Sequence, residues 1–491
     1  MREKEVISGR QLILLVFTFI IATGTLFVPS IVAQRAAQDG WLSVLIGGAA
    51  GVVVVLIVTV LGNRHPGRCL IEYSEIISGK WFGKIIGLVY ILFYIHLTSI
   101  IVREISSTIQ GTLLQNSSLE VITIVIFLSS AYSVKMGLET LTRTNVLNLI
   151  VTFIAIFAVL FLILKDMNPE RLTPVLSNGI MPVLKGAVSP AGWFCEAVSI
   201  KPKEARLCSI IGVMWAAVTL SFMAALVVMV FGPQLTAILT FPTLEAVRYI
   251  NVEQYVQRVE IIFLIPWIIS NYIKICFFYY IAVLIISKWF KLENTKALVI
   301  PTGLLIFSMS LALFRNNVDL DLFLTQAWGF YSLPIELGIP ALLFAIELIK
   351  KKGGERMDRS FKVILALCFF IFVQTGCKDI KEVDRITFPV VLGIDWDEAN
   401  SRIKICAQVS RLSGQSGGGG GQGSEPEAKY SVLEGEGSTL KEAMDNIIDH
   451  AQQYISWKQL IAVVFTDKMA KHGILEGLDV LSRNEQIHLN S

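Results

Sequence analysis

Apolar runs of membrane-crossing length recur through residues 1–356 and then stop. They fall at 11–33, 42–62, 84–102, 119–134, 144–164, 180–200, 207–231, 260–287, 297–314 and 333–349. Most reach or approach the ~20 apolar residues a helix needs to cross the hydrocarbon layer, so the pattern predicts ten transmembrane helices. Beyond residue 378 the pattern is that of a small α/β domain. "ITFPVVLGIDW", "RIKICAQVSR" and "KYSVLEGEG" read as strands, and "QLIAVVFTD" as a buried strand. "STLKEAMDNIIDHAQQ" reads as an amphipathic helix, with Thr439 and Glu442 at capping-box spacing and Leu440, Met444, Ile447 and Ile448 on one face. "ILEGLDVLSRN" predicts a second such helix, and the Gly-rich 413–428 is a flexible connector. That connector lacks the Gly-Lys-Ser/Thr ending of a phosphate loop, which argues against nucleotide binding.

The loops between spans carry an orientation signal. If the amino terminus is cytoplasmic, the cytoplasmic segments hold 19 Lys and Arg against 8 on the opposite side. Positive residues stay inside, so both ends of the membrane domain are expected in the cytoplasm.

Three spans contain helix breakers. Span one has Gly24 between Thr23 and Thr25, then Pro29; span six has Pro190 and Gly192 at its middle; span eight has Pro266 followed by "SNYIK". Interrupted first and sixth helices, five spans apart, fit an inverted five-plus-five repeat of LeuT-like type, whose opened half-helices point backbone dipoles at a solute near the membrane midplane. Glycine and proline are also common in ordinary membrane helices, so the same residues fit unbroken packing. On the first alternative the solute would sit beside Thr23, Gly24, Thr25 and Leu26 of span one and Ala191 and Gly192 of span six. Tyr94 and Thr98, one turn apart on span three, would shape the pocket or form an ordinary packed face.

Ionisable residues inside the runs are His96, Glu196, Lys274 and Glu336. Burying a charge in lipid costs several kcal/mol, so each should face the bundle or a wet cavity. Glu196, just after the span-six break, lines a site or forms a structural pair; Lys274 pairs with another helix or reaches an interface. His96 reads as a satisfied packing residue.

Composition sharpens the class without naming a chemistry. The 491 residues are 54% hydrophobic and 16% charged, with a mean hydropathy of +0.64, which a soluble chain of this length rarely shows. The net charge is only +3 and no basic stripe suggests nucleic acid. Seven scattered cysteines form no CxxC pair or disulfide framework. No catalytic triad, metal cluster or paired carboxylates emerge, so no cofactor is expected and an enzyme is the least supported class.

Residues 357–377 look like the start of a secreted protein. Arg359 and Lys362 precede the apolar Val363–Val373 and the small-residue end Thr375-Gly376-Cys377. A cysteine after glycine suggests a bacterial lipoprotein site with Cys377 as the lipidated residue, although Gln374 stands where an aliphatic residue is usual; a short eleventh anchor is the alternative. Gly353-Gly354-Glu355 can be encoded by GGAGGTGAA, a ribosome-binding sequence just upstream of Met357. Two neighbouring reading frames joined into one explain that arrangement.

"ATGTLFVPS", "TLEAVRYI", "LKDMNPERLTPVLSNGI" and "FCE" at 194–196 give residues 1–356 a resemblance to the B subunit of a spore nutrient-germinant receptor. That subunit is a branch of the amino acid/polyamine/organocation transporter superfamily. "DIKEVDRITFPVVLGIDWD", "YSVLEGEGSTLKEAMDNI" and "LSRNEQIHLN" make residues 378–491 similar to the N-terminal part of the C subunit, the lipoprotein partner. The resemblance implies a multi-pass component of the inner spore membrane that assembles with A-type and C-type subunits. It would sense an amino acid or similar nutrient and trigger germination, with the C-terminal domain on the outer face. An amino acid transporter of the same superfamily and a non-functional fusion of two operon genes are the alternatives. Lys201-Pro202-Lys203 follow "FCEAVSI" where the family continues apolar, which shortens span six; the lipoprotein family also continues well past residue 491.

Overall fold

The computed structural model describes residues 8–196, 205–249, 260–314 and 317–353, and then 386–387, 389–397, 402–410, 430–451, 454–455 and 462–473. The internal signal segment with Cys377, the Gly-rich connector, Lys201-Pro202-Lys203 and the helix expected at "ILEGLDVLSRN" lie outside them. The chain divides into two compact units, Met1–Lys378 and Asp379–Ser491.

The first unit is helical. Its elements are α1 (Gly9–Ala36), α2 (Gly40–Arg64), α3 (Leu70–Ser78), α4 (Lys80–Thr112), α5 (Leu119–Met136), α6 (Leu138–Ile163), α7 (Ile180–Gly186) and α8 (Val188–Cys195). They continue with α9 (Ala205–Phe231), α10 (Pro233–Ile238), α11 (Pro242–Tyr249), α12 (Glu260–Phe290), α13 (Val299–Ala312), α14 (Asn317–Leu322), α15 (Trp328–Leu333) and α16 (Ile339–Gly353). Among the described residues, eight helical stretches are long and apolar enough to cross a membrane, the first, Gly9–Arg64, containing both α1 and α2. The chain is a multi-pass membrane protein.

α1 begins where Ser8 and Gln11 form a capping box: the Ser8 hydroxyl accepts from the Gln11 amide, and the Gln11 side chain accepts from the Ser8 amide. It then runs through the centre of the bundle, packed on α9, α10, α12 and α2. Its residues from Leu15 to Ala33 are buried. By contrast, α5 and α6 expose Val125, Leu128, Leu147, Ile154, Phe157 and Phe161. In a membrane helix such an unpartnered apolar face is the lipid-facing side.

Span one is not interrupted, which corrects the sequence expectation. Pro29 has no amide to offer the Thr25 carbonyl four residues earlier, but the Thr243 hydroxyl on α11 donates to that carbonyl at 2.6 Å. The Thr25 hydroxyl donates back to the Ile21 carbonyl, and the Asn271 amide group donates to the Ala22 carbonyl. Side chains repair what proline removes, and α1 stays continuous through Gly24. α12 likewise passes unbroken through Pro266.

Span six is broken, but earlier than expected. The helix stops at Gly186, four residues before Pro190, and restarts at Val188. Ala187 between them still donates to the Val183 carbonyl, while Pro190 has no amide to offer Gly186. Ile180 to Cys195 covers roughly 24 Å at 1.5 Å per residue, short of the ~30 Å hydrocarbon core.

Two further spans exceed their predicted limits. α4 runs on to Thr112, which carries Arg103 and Glu104 inside a buried helix instead of a loop. The last span starts at α14 rather than residue 333, with π-helical turns at Phe323–Ala327 and Pro334–Gly338.

The second unit is a four-stranded sheet with helices. β1 (Ile386–Thr387) and β5 (Tyr454–Ile455) pair in parallel; β2 (Pro389–Asp397), β3 (Arg402–Ser410), β4 (Tyr430–Gly437) and β6 (Ala462–Phe465) form the order β4-β3-β2-β6. β2–β3 and β3–β4 are antiparallel and β2–β6 is parallel. Period-two alternation sends Leu392 and Ile394 of β2 and Ile403, Ile405 and Ala407 of β3 into one core. There they meet Leu440, Ala443, Met444 and Ile447 of α17 (Leu440–Ala451) and Met469 of α18 (Asp467–His472). Thr439 caps α17 by accepting from the Glu442 amide, while the Glu442 carboxylate accepts from the Ser438 amide one residue outside the predicted box.

Candidate functional site

Four buried ionisable side chains gather at the bundle centre. Lys274 of α12 is wholly buried and stands 2.7 Å from a carboxylate oxygen of Glu196, which follows the last turn of α8. Its Nζ also donates to the Thr23 hydroxyl on α1 at 3.0 Å. One ammonium therefore ties three elements, α1, α8 and α12. Glu196 sits beside the carbonyls that end α8, where the helix dipole is negative, so the carboxylate depends on Lys274 for compensation. Glu104 of α4 and Glu336 of the Pro334–Gly338 turn are also buried, and both lie within electrostatic range of Lys274 and Glu196. Three buried carboxyl groups thus lie near one ammonium, with Glu196 in direct contact with it.

Above this centre, toward the C-terminal ends of α1 and α4, lies a cavity of about 360 Å³. Glu104, Ser107, Thr108, Gly111 and Thr112 form one wall, residues that recur at helical spacing along a single face of α4. Phe27 of α1, Phe241, Leu244 and Arg248 at α11, and Leu320 and Asp321 of α14 close it. Phe27 and Phe241 meet edge to face at 5.3 Å.

The residues anticipated from sequence divide into two groups. Thr23 and Glu196 do come together, through Lys274. Tyr94 is buried against Tyr90, Phe93 and Phe278, within electrostatic range of Glu196 and Glu336; the buried Thr98 hydroxyl donates to the Tyr94 carbonyl. The others close packed surfaces. A Cβ on Gly24 would stand 2.7 Å from Leu220 Cδ1 of α9, and one on Gly192 2.3 Å from Ser332 Oγ and 2.7 Å from Trp328 Nε1. Ala191 lies against Gly47 of α2, Leu26 is fully buried, and the Thr25 hydroxyl is held by Ile21. Of the remaining ionisable residues, His96 Nδ1 is 2.8 Å from the Tyr331 hydroxyl.

Sequence reasoning missed Glu104. The adjacent Arg103–Glu104 pair ended the apolar run, although Ile105 and Ile109 and the small Ser106, Ser107 and Thr108 continue the helical pattern to Gly111. That continuation was the available signal.

The spore permease family model, described as spore germination protein, matches residues 6–318. The chain belongs to that family. A second model, for the spore germination protein N-terminal domain, matches residues 379–491. Among curated relatives, spore germination protein KB of Bacillus subtilis (strain 168) is 26% identical over 367 residues, covering 72% of this chain and 98% of that protein. Spore germination protein YndE of the same strain is 28% identical over 362 residues, covering 71% and 98%. Putative spore germination protein YfkR, also of that strain, is 30% identical over 132 residues, 27% of this chain and 34% of that protein. The matched part thus spans about a third of that relative. The solved structure of Mhp1, a nucleobase-cation-symport-1 family transporter, in a closed conformation with bromovinylhydantoin bound, superposes with a TM-score of 0.52 at 13% identity, covering 76% of this chain and 90% of that one. That likeness shows the fold, the LeuT-like bundle expected from the sequence.

Proposed function

We propose that the chain is a germinant-receptor component of the inner spore membrane, sensing a small nutrient through its permease-like bundle and not catalysing a reaction. On this reading both ends of the bundle are cytoplasmic, the C-terminal domain lies on the outer face, and A-type and C-type receptor subunits complete the complex. The observation that carries it is the fully buried Lys274–Glu196 pair anchored on Thr23. A charge pair held without water is destabilised strongly when one partner is removed, so any movement of α8 against α1 and α12 must break or rebuild it. It gives the bundle two discrete arrangements, and a nutrient shifts the balance between them only through unequal affinity for the two. Thr23–Leu26, Tyr94, Thr98, Ala191, Gly192 and Glu196 are the residues around which that rearrangement is proposed to occur.

The test uses spores deleted for their own nutrient receptors and supplied with this chain and its A-type and C-type partners. Ion release on addition of a nutrient mixture is expected with the wild-type chain and is expected to be lost with Lys274→Met. No response to any mixture from the wild-type chain would overturn the receptor reading and leave transport or a degraded fusion. The transporter-type fold supports a second reading, amino acid transport, which requires saturable, ion-coupled uptake of labelled amino acid in vesicles.

A further inference from the structure

Four polar atoms on one face of α4 have no protein hydrogen-bond partner among the described residues, although all are buried: both Glu104 carboxylate oxygens, Ser107 Oγ and Thr108 Oγ1. They line the same 360 Å³ cavity, within the range of ~300–1,000 Å³ that small-molecule sites occupy. Buried polar groups are nearly always satisfied, and a whole face of exceptions marks a place where something else supplies the partners. Among the described residues the ionisable lining consists of Glu104, Asp321 and Arg248. Arg248 is half-exposed and bonded to Glu245. Arg103, one residue before Glu104, lies within range of Glu120 and Asp319 and is not part of the lining.

Resting on the receptor reading above, we infer that this cavity is the nutrient site and that its ligand is a small primary-ammonium solute. Its N–H groups would be donated to the Glu104 carboxylate and the Ser107 and Thr108 hydroxyls. An ammonium brings three donors in one compact charge, which matches three neighbouring acceptors better than a sugar hydroxyl does. Phe27, Phe241, Leu244 and Leu320 supply an apolar wall for a short side chain. Arg248, with donors beyond the one given to Glu245, faces the same space and suits the carboxylate of an α-amino acid. Glu104 also links the cavity to the buried pair below it. A cation bound at Glu104 lies within electrostatic range of Lys274 and Glu196 and so changes the field at that pair.

The full-length chain in lipid nanodiscs is titrated with labelled L-alanine, L-valine, methylammonium, putrescine, propionate and glucose. Saturable binding is expected for at least one amine-bearing probe and not for propionate or glucose. Glu104→Gln is expected to weaken that binding at least tenfold, and Ser107→Ala with Thr108→Val, which leaves the charge in place, several-fold. Weakening of the amino acids but not of methylammonium by Arg248→Gln identifies an amino acid; putrescine binding alone identifies a diamine. Binding of glucose in preference to the amines overturns the inference, as does an amine affinity unchanged in Glu104→Gln. If that affinity is unchanged there but lost in Lys274→Met combined with Glu196→Gln, which removes the stranded charge, the solute sits at the central pair and only the cavity assignment falls. Binding of no probe by the wild-type chain removes the cavity assignment, and the receptor reading then stands or falls on ion release in the complemented spores.

Discussion

The Thr243 hydroxyl stands 2.6 Å from the Thr25 carbonyl, supplying the hydrogen bond that Pro29 denies it. The contact ties the short helix α11 to the middle of α1. Thr243→Val keeps the shape and leaves a buried carbonyl unsatisfied, which costs about 1–3 kcal/mol. The apparent melting temperature in detergent is expected to fall for Thr243→Val and to hold for Thr243→Ser. Equal values for the two would mean that α1 needs no such repair.

Removing one member of the central ion pair should be far worse than removing both. Lys274→Met strands Glu196 and is expected to destabilise the bundle by about 3–5 kcal/mol. Adding Glu196→Gln should recover most of that, because the uncompensated charge goes with it. A double-mutant cycle read as thermal stability checks the expectation; additive losses would show that the two residues act independently.

The two packing glycines should differ in tolerance. Gly192→Ala pushes into the Ser332 hydroxyl and the Trp328 ring, and Trp328 in turn stacks on Trp193 at 6.2 Å. Gly24→Ala meets only the end of the Leu220 side chain, which can rotate. Overpacking of about 1–3 kcal/mol is expected at Gly192 and less at Gly24. Stability measured for both variants decides it, and the reverse order would contradict the geometry.

One acid-sensitive contact lies in α3, between the second and third spans. Burial alone would raise the Glu72 carboxyl, but the hydrogen bond from the Cys69 amide and the ion pair with Lys288 at 3.1 Å outweigh it, holding the group below the usual carboxylate range. A lowered value stabilises the fold above the ordinary glutamate range near pH ~4.3 and loses that contribution as pH falls through the lowered value. The advantage in melting temperature of the wild type over Glu72→Gln is therefore expected at neutral pH and to vanish on acidification. A gap that persists in acid would remove the charge from the explanation.

The sequence made the bundle legible through hydropathy, because lipid imposes one rule on every crossing helix. The sheet domain was legible where alternation was clean: Leu392 and Ile394 and the Ile403–Ala407 series point inward as their period requires. What was hidden depends on partners distant in sequence. Nothing around Pro29 announces that Thr243, more than two hundred residues later, will mend the helix there. Pro190 marked its own span as broken, but the break falls four residues upstream, at the carbonyl that proline deprives. Glu104 was hidden by the opposite effect, since two adjacent charges look like the end of a helix unless the small residues beyond them are read as its next turns. Lys274 and Glu196 were both visible as costly charges; that each is the other's remedy is a fact of tertiary structure.

The presence of a permease-family region and a region similar to a spore germination N-terminal domain on one polypeptide has a quantitative outcome. While the chain remains intact, the two are delivered to the membrane in a one-to-one ratio, whatever the translation rate. Covalent tethering also replaces a bimolecular encounter by an intramolecular one, at effective concentrations that reach the millimolar range for short flexible tethers. Stoichiometry is thereby written into the primary structure and needs no separate balancing of expression.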